Sequence, residues 1–237
     1  MRKDVFCDLC PETTIVVSGF SFSGKTNLYS ERTEKMEKNT LKTRNIALIG
    51  IMGGLSAVLM LFRFPLPFMP PFMDFDFASL PEIIGGFAMG PVAAIFIILV
   101  KILVKMAIMG TNSALTGEIQ NVLLSCAYVI PAVLIYDRKK TKGHAVAGMA
   151  VGTLVCAVVA VFTNLYMIIP FYVNLFGMSM DGIIDMCQAV NPAIRNPFTL
   201  ALFGIVPFNL IKNGVASLIT YFAYKKISIH IKQFVNR

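Results

Sequence analysis

Residues 79–109 read SLPEIIGGFAMGPVAAIFIILVKILVKMAIM, and this stretch decides the class of fold. Its second part, Pro91–Met109, has nineteen residues whose only charges are Lys101 and Lys105. A helix rises 1.5 Å per residue, so about 20 apolar residues cross a bilayer core. The first part, Ser79–Gly90, is apolar but too short to span alone. Its Pro81, Gly85 and Gly86 point to a tilted or irregular helix packed inside a bundle, away from lipid.

Outward from this stretch, four more segments are long and apolar enough to span: Asn45–Arg63, Leu115–Tyr136, Ala145–Phe171 and Thr199–Tyr224. Over all 237 residues, 56% are hydrophobic and 14% charged, with a mean hydropathy of +0.71. Soluble domains carry roughly 25% charged residues, so this chain lacks the charge to cover a water-facing surface. The expected fold is an all-α integral membrane protein, a six-helix transmembrane bundle with a short second helix. A soluble enzyme, a disulfide-stapled secreted domain and a nucleic-acid-binding module are excluded. The five cysteines (7, 10, 126, 156 and 187) are odd in number and scattered, as reduced or lipid-embedded thiols would be.

Charge placement sets the expected orientation. Basic clusters lie at 38–44, at 138–142, and at Lys225, Lys226, Lys232 and Arg237. The opposite connections, 64–78, 110–114 and 172–198, carry Asp74, Asp76, Asp181 and Asp185 against Arg195. Six crossings put every basic cluster on one face, which the positive-inside rule makes cytoplasmic together with both termini. Residues 1–20 have no long apolar core, so no cleavable signal peptide is expected.

Two patterns near the N-terminus invite other readings. Gly19–Thr26 (GFSFSGKT) fits the phosphate-cradling loop GxxxxGK[ST], but that loop needs an α/β domain and a separate Mg²⁺-holding carboxylate. Cys7 and Cys10 form a lone CxxC, half of a zinc pattern. Both read as chance similarity. Met36 opens a short basic lead, MEKNTLKTRN, into the first span, and the codons for Glu31-Arg32 can form a purine run like a ribosome-binding site. Residues 1–35 are therefore expected to be a disordered extension or the product of a start assigned too far upstream. Residues 36–237 are expected to form the six-helix substrate-binding domain. Residues 1–35 hold five basic and five acidic side chains, so the whole +8 belongs to the membrane domain.

Ionisable groups at membrane depth are costly and often functional. Lys212 falls near the middle of the last span, with Asn209 one turn away on the same face and Pro207 loosening the backbone nearby. Asn164 lies near the outer end of the fifth helix, followed by Tyr166, Pro170 and Tyr172. An amide, a cation and aromatic rings are thus expected at overlapping depth. An internal ion pair or snorkelling competes with a ligand role for Lys212, and interhelical hydrogen bonding competes for the two asparagines. Lys101 and Lys105 are spaced i,i+4, and Glu118 and Asn121 i,i+3 on the next helix; a Lys105–Glu118 ion pair is expected, with Lys101 left open. The first outer loop, Phe64–Met73 (FPLPFMPPFM), is proline-stiffened and wholly apolar, either a lid over a ligand or a wedge against lipid headgroups. Gly50, Gly53, Gly54 and Ala57 stripe the first helix with small-xxx-small spacings that allow close helix approach.

The blocks FRFPLPFMPPFMDFDFASLPEIIGGFAMGPVAA, GTNSALTGEIQNVL, TNLYMIIPFY and PFNLIKN resemble the riboflavin-specific S components of energy-coupling-factor (ECF) vitamin transporters, from about Asn45 to the C-terminus. The resemblance implies a membrane subunit that binds one vitamin near its outer face. It would share a membrane-embedded coupling subunit and two cytoplasmic ATPases in a bacterial cell membrane. It implies that Asn164 and Lys212 hold the isoalloxazine ring, that Phe68 and Met69 of the first loop cover the pocket, and that Gly50 and Gly54 stand at the coupling surface. The family's alanines at that surface are glycines here. The expected substrate-binding set is Asn164, Lys212, Asn209, Phe68, Met69, Tyr166 and Asn121, with Gly50, Gly54 and Ala57 docking the partner. Riboflavin is uncharged and aromatic, with imide and polyhydroxyl edges, which suits aromatic and amide side chains and one lysine. It enters as substrate; no cofactor and no metal are expected, and no enzyme activity, since the two histidines, His144 and His230, lie at cytoplasmic edges. The alternatives are an S component for another vitamin and a secondary transporter driven by ions through Glu118 or Lys101.

Overall fold

The computed structural model describes residues 24–67, 69–70, 72–111, 115–177 and 179–235. The loop-like patterns at Gly19–Thr26 and Cys7–Cys10 and the expectation for residues 1–35 fall outside the described residues, save for helical backbone from Gly24. The chain divides into two units, Met1–Thr40 and Leu41–Arg237, and everything below concerns the second.

The elements in order are α1 (Gly24–Leu61), β1 (Phe64–Pro65), β2 (Asp74–Phe75), α2 (Ser79–Met89), α3 (Pro91–Met109), α4 (Thr116–Arg138), α5 (Lys142–Thr163), α6 (Ile169–Phe176), α7 (Met180–Val190), α8 (Pro197–Leu200) and α9 (Val206–Val235). A π-helical turn, Asn164–Ile168, joins α5 to α6, and another, Ala201–Ile205, joins α8 to α9. Five stretches are long and apolar enough to cross a membrane: Thr43–Leu61, Pro91–Met109, Thr116–Arg138, Lys142–Phe171 and Pro197–Ala223. They coincide with the five expected spans. Large apolar side chains on their outer faces, among them Ile46, Phe96, Leu103, Phe162 and Phe222, stand exposed, as lipid contact requires.

The short second helix expected over Ser79–Gly90 is present. Helix α2 has 11 residues, about 16 Å at the helical rise, and is buried along most of its length. It is a helix inside the bundle that does not span by itself. Asp76 prepares its start by accepting the Ala78 N–H (3.0 Å), and Ser56 of α1 donates to the Ala78 carbonyl (2.6 Å). A correction concerns 172–198, expected to be a connection. It contains α7, capped by Ser179 accepting the Gly182 N–H, with Ile183, Ile184 and Cys187 turned inward. Burial pushes the Cys187 thiol up to about 11. The all-α expectation needs one amendment as well, the antiparallel pair β1–β2, which closes the base of the first loop by setting Phe64 opposite Phe75.

Two apolar clusters hold the bundle. One joins α2, α4 and α5 through Phe87, Tyr128, Val133, Tyr136 and Met149. Here α4 and α5 approach so closely that a Cβ on Gly148 or Gly152 would strike the backbone carbonyls of Ala132 and Tyr128, so only glycine fits. The other cluster joins the first loop to α7 and the last span through Met73, Phe75, Ile183, Cys187, Leu200 and Ile205.

Candidate functional site

A cavity of about 390 Å³ opens among α4, the α5–α6 and α8–α9 spans and the first loop, within the size range of small-ligand sites. Both spans that wall it change their winding at the same point relative to a proline. The π turn Asn164–Ile168 begins six residues before Pro170, and Ala201–Ile205 begins six before Pro207. A proline inside a helix lacks an N–H and its ring clashes with the carbonyl four residues back; one wider turn relieves that clash. At each of these turns an asparagine side chain bonds back to the carbonyl four residues before it. Asn164 donates its amide nitrogen to Ala160 O (2.7 Å), and Asn209 donates to Ile205 O (2.9 Å). Both amides are buried and both line the cavity. Each amide spends one of its two N–H groups on backbone, which leaves its oxygen and one N–H to offer a ligand. The thiol of Cys156 donates to Asn209 Oδ1 at 3.8 Å.

Lys212 lines the cavity as an ion pair. Its Nζ donates to Asp76 Oδ2 at 2.8 Å, with the two side chains 18% and 8% exposed. Burial works to raise the Asp76 carboxyl, but the Lys212 charge and hydrogen bond outweigh it and hold the group below its ordinary 3.8. The pair therefore stabilises the fold at neutral pH and is lost only as pH falls through that depressed value. The internal ion pair, one of the expected readings of Lys212, is present, and the residue also lines the cavity. An ammonium has three donors, so two remain beyond the one given to Asp76. Next to it, Asn213 Nδ2 is buried at the cavity with no hydrogen-bond partner among the described residues.

The first loop folds over this site. Phe72, Met73, Asp74 and Asp76 line the cavity, and Pro70 rests on Gly204 of the second π turn, where a Cβ would come within 2.9 Å of the proline ring. Arg63 and Asp74 face each other at 3.7 Å across the base of the loop.

The remaining expected residues fare unequally. Asn121 lines the cavity, but its oxygen accepts from Lys101 Nζ at 2.6 Å. Met69 is half-buried and packs on the apolar cluster beneath the loop without reaching the cavity. Phe68 lies outside the described residues. Tyr166 is corrected: 77% exposed and stacked on Phe162, it faces lipid, because two residues along a helix turn a side chain to the opposite face from Asn164. On α1, Gly50 and Gly54 meet nothing within 4 Å and leave an open, smooth face. Ala57 is fully buried inside the chain, so its small size serves internal packing and it is withdrawn from the docking surface.

The Lys105–Glu118 ion pair forms as expected, with Thr111 Oγ1 donating to the other Glu118 oxygen at 3.1 Å. Lys101 is closed off from the cavity: paired with Glu82, it also donates to Asn121 and Ser125. Glu118 and Lys101, on which an ion-coupled carrier would depend, are thus both committed to internal pairs. Residues that the sequence reading passed over include Asp76, Asn213, Tyr128, Phe171 and Phe208. For Asp76 the available signal was a pair of acids, Asp74 and Asp76, at the end of an apolar outer loop, opposite a lysine in mid-span.

Residues 44–224 match the family model described as "ECF transporter, substrate-specific component". The chain is 27% identical over 196 residues to a riboflavin transporter named RibU from Staphylococcus aureus (strain TCH60), covering 82% of this chain and 96% of the relative. It is 24% identical to a riboflavin transporter named FmnP from Bacillus subtilis (strain 168), covering 81% of this chain and 96% of that protein. Among solved structures it shares the fold of an S component of a bacterial ECF transporter, with a TM-score of 0.63, 24% identity, and coverage of 81% of this chain and 99% of the other.

Proposed function

The chain belongs to the substrate-specific components of ECF transporters, and from that premise we propose that its ligand is riboflavin. A member of that family is a multi-pass membrane subunit that binds the transported substrate and is not an enzyme. Asn164 and Asn209 offer acceptors to the imide edge of the flavin, and Lys212 and Asn213 offer donors to its carbonyl and ring-nitrogen acceptors. Phe72, Phe171 and Phe208 supply aromatic surface for the ring system. The observation that carries this reading is the convergence of two buried amides and one ammonium on a single cavity under an apolar loop. The riboflavin transporters among its relatives supply the choice of vitamin.

The energised partners belong to the same reading: a coupling subunit in the membrane and two cytoplasmic ATPases, with both termini of this chain cytoplasmic. The open Gly50–Gly54 face of α1 is the docking surface, since two helices pack closest where neither carries side-chain bulk. The purified protein tests the ligand assignment. It should be yellow from flavin carried through purification, and after stripping it should quench the fluorescence of added riboflavin. A colourless preparation that leaves riboflavin fluorescence unchanged would refute the assignment.

A further inference from the structure

The cavity lining carries six charged side chains, three of each sign: Arg63, Lys105 and Lys212 against Asp74, Asp76 and Glu118. Each cation has its own carboxylate, Arg63 with Asp74, Lys105 with Glu118 and Lys212 with Asp76. Among the described residues no lining cation is left to meet an anion. The three pairs are not equivalent. Arg63 and Asp74 are 36% and 41% exposed at the base of the loop, where solvent and salt screen them. The other two pairs are largely out of solvent.

We propose that Asp76 makes this site selective for uncharged ligands, by cancelling the charge of Lys212 while leaving its other N–H groups free to donate. The proposal rests on the riboflavin reading and deepens it, because it names what the site rejects: an anionic form of the same flavin, such as its phosphate ester. Asp76 is a fixed counterion. One of its oxygens holds the Ala78 N–H at the start of α2, and the other faces Lys212. A neutral ligand accepts from a second ammonium hydrogen without disturbing the pair. An anion competes for the ammonium itself, and drawing it away leaves a buried carboxylate uncompensated, which is strongly unfavourable. Anywhere in the same cavity, an anion also meets a lining whose net charge is zero and gains nothing from it. Removing the Asp76 charge leaves the lining at net +1. At an effective dielectric near 20 and a separation of about 10 Å, one unit charge changes the affinity for an anion by roughly tenfold.

The experiment measures riboflavin and riboflavin 5′-phosphate binding to the purified full chain by fluorescence quenching, for the wild type, Asp76→Asn and Asp76→Glu. The wild type should prefer riboflavin. Asp76→Asn should shift the ratio of the two affinities toward the phosphate by roughly tenfold for each charge the ester carries, and Asp76→Glu should keep the wild-type ratio. If Asp76→Asn does not accumulate as folded protein, Asp76→Ser, which also removes the charge but keeps a short acceptor for the Ala78 N–H, takes its place and should shift the ratio in the same direction. A wild type that binds riboflavin, with a ratio unmoved in the folded variant, overturns the role of Asp76 and leaves the riboflavin reading standing. A wild type that binds neither flavin overturns the riboflavin reading and this proposal with it.

Discussion

Lys101 on α3 and Lys212 on α9 are both ammonium groups held within membrane-crossing helices, yet their surroundings differ in kind. Lys101 is 1% exposed and surrounded by acceptors: the Glu82 carboxylate, Asn121 Oδ1 and Ser125 Oγ. All three hydrogens of the ammonium are committed, and α2, α3 and α4 are tied together at that point. Lys212 makes one ion pair, lines the cavity and keeps donors in reserve. A charge at membrane depth marks an expensive residue, and what separates structure from function is whether its hydrogen-bonding capacity is used up.

The largest effect should follow from breaking the saturated site. Lys101→Met strands the Glu82 carboxylate, whose Oε2 already lacks a partner among the described residues. A loss of about 3–5 kcal/mol is expected, because an uncompensated buried charge remains. Thermal denaturation in detergent reads this, and adding Glu82→Gln to Lys101→Met should recover most of the lost stability. If Lys101→Met melts like the wild type, the structural assignment of this lysine is wrong.

The matching double variant at the other lysine should separate stability from binding. Lys212→Met combined with Asp76→Asn removes both charges, so the protein should melt close to the wild type while losing roughly ten- to hundredfold in flavin affinity. Asn164→Ala should lose a similar amount. Equilibrium quenching titrations beside melting curves check both, and wild-type affinity in both variants would dissolve the pocket assignment. The smallest effect on binding is expected from the open face of α1. Gly54→Leu should leave flavin affinity unchanged yet abolish uptake by cells that hold the coupling subunit; normal uptake would remove that face from the docking surface.

The spans were legible because spanning is a local property: about 20 apolar residues in a row suffice. The Lys105–Glu118 pair was legible for a related reason, since its members lie at the facing ends of consecutive helices and are 13 residues apart. Helix α7 was missed because MDGIIDMCQAV is too short and too acidic for a span, and only packing on the loop cluster shows its apolar side to be buried. Tyr166 was misplaced because an aromatic residue beside a buried asparagine looks like pocket wall, although helical winding sends it to the other side. Ala57 was grouped with Gly50 and Gly54 by spacing, and only contact with neighbouring helices shows it turned inward.

By itself the sequence determined that this is a membrane bundle, where the five helices long enough to cross lie, and which few polar groups bear a desolvation cost. Those are consequences of composition within windows shorter than the bilayer is thick. Only the tertiary structure decided which lysine is spent on the fold and which faces the ligand. The carboxylate that fixes the role of Lys212 lies 136 positions away along the chain, beyond the reach of any helical periodicity, and meets it only when the first loop closes over the last span.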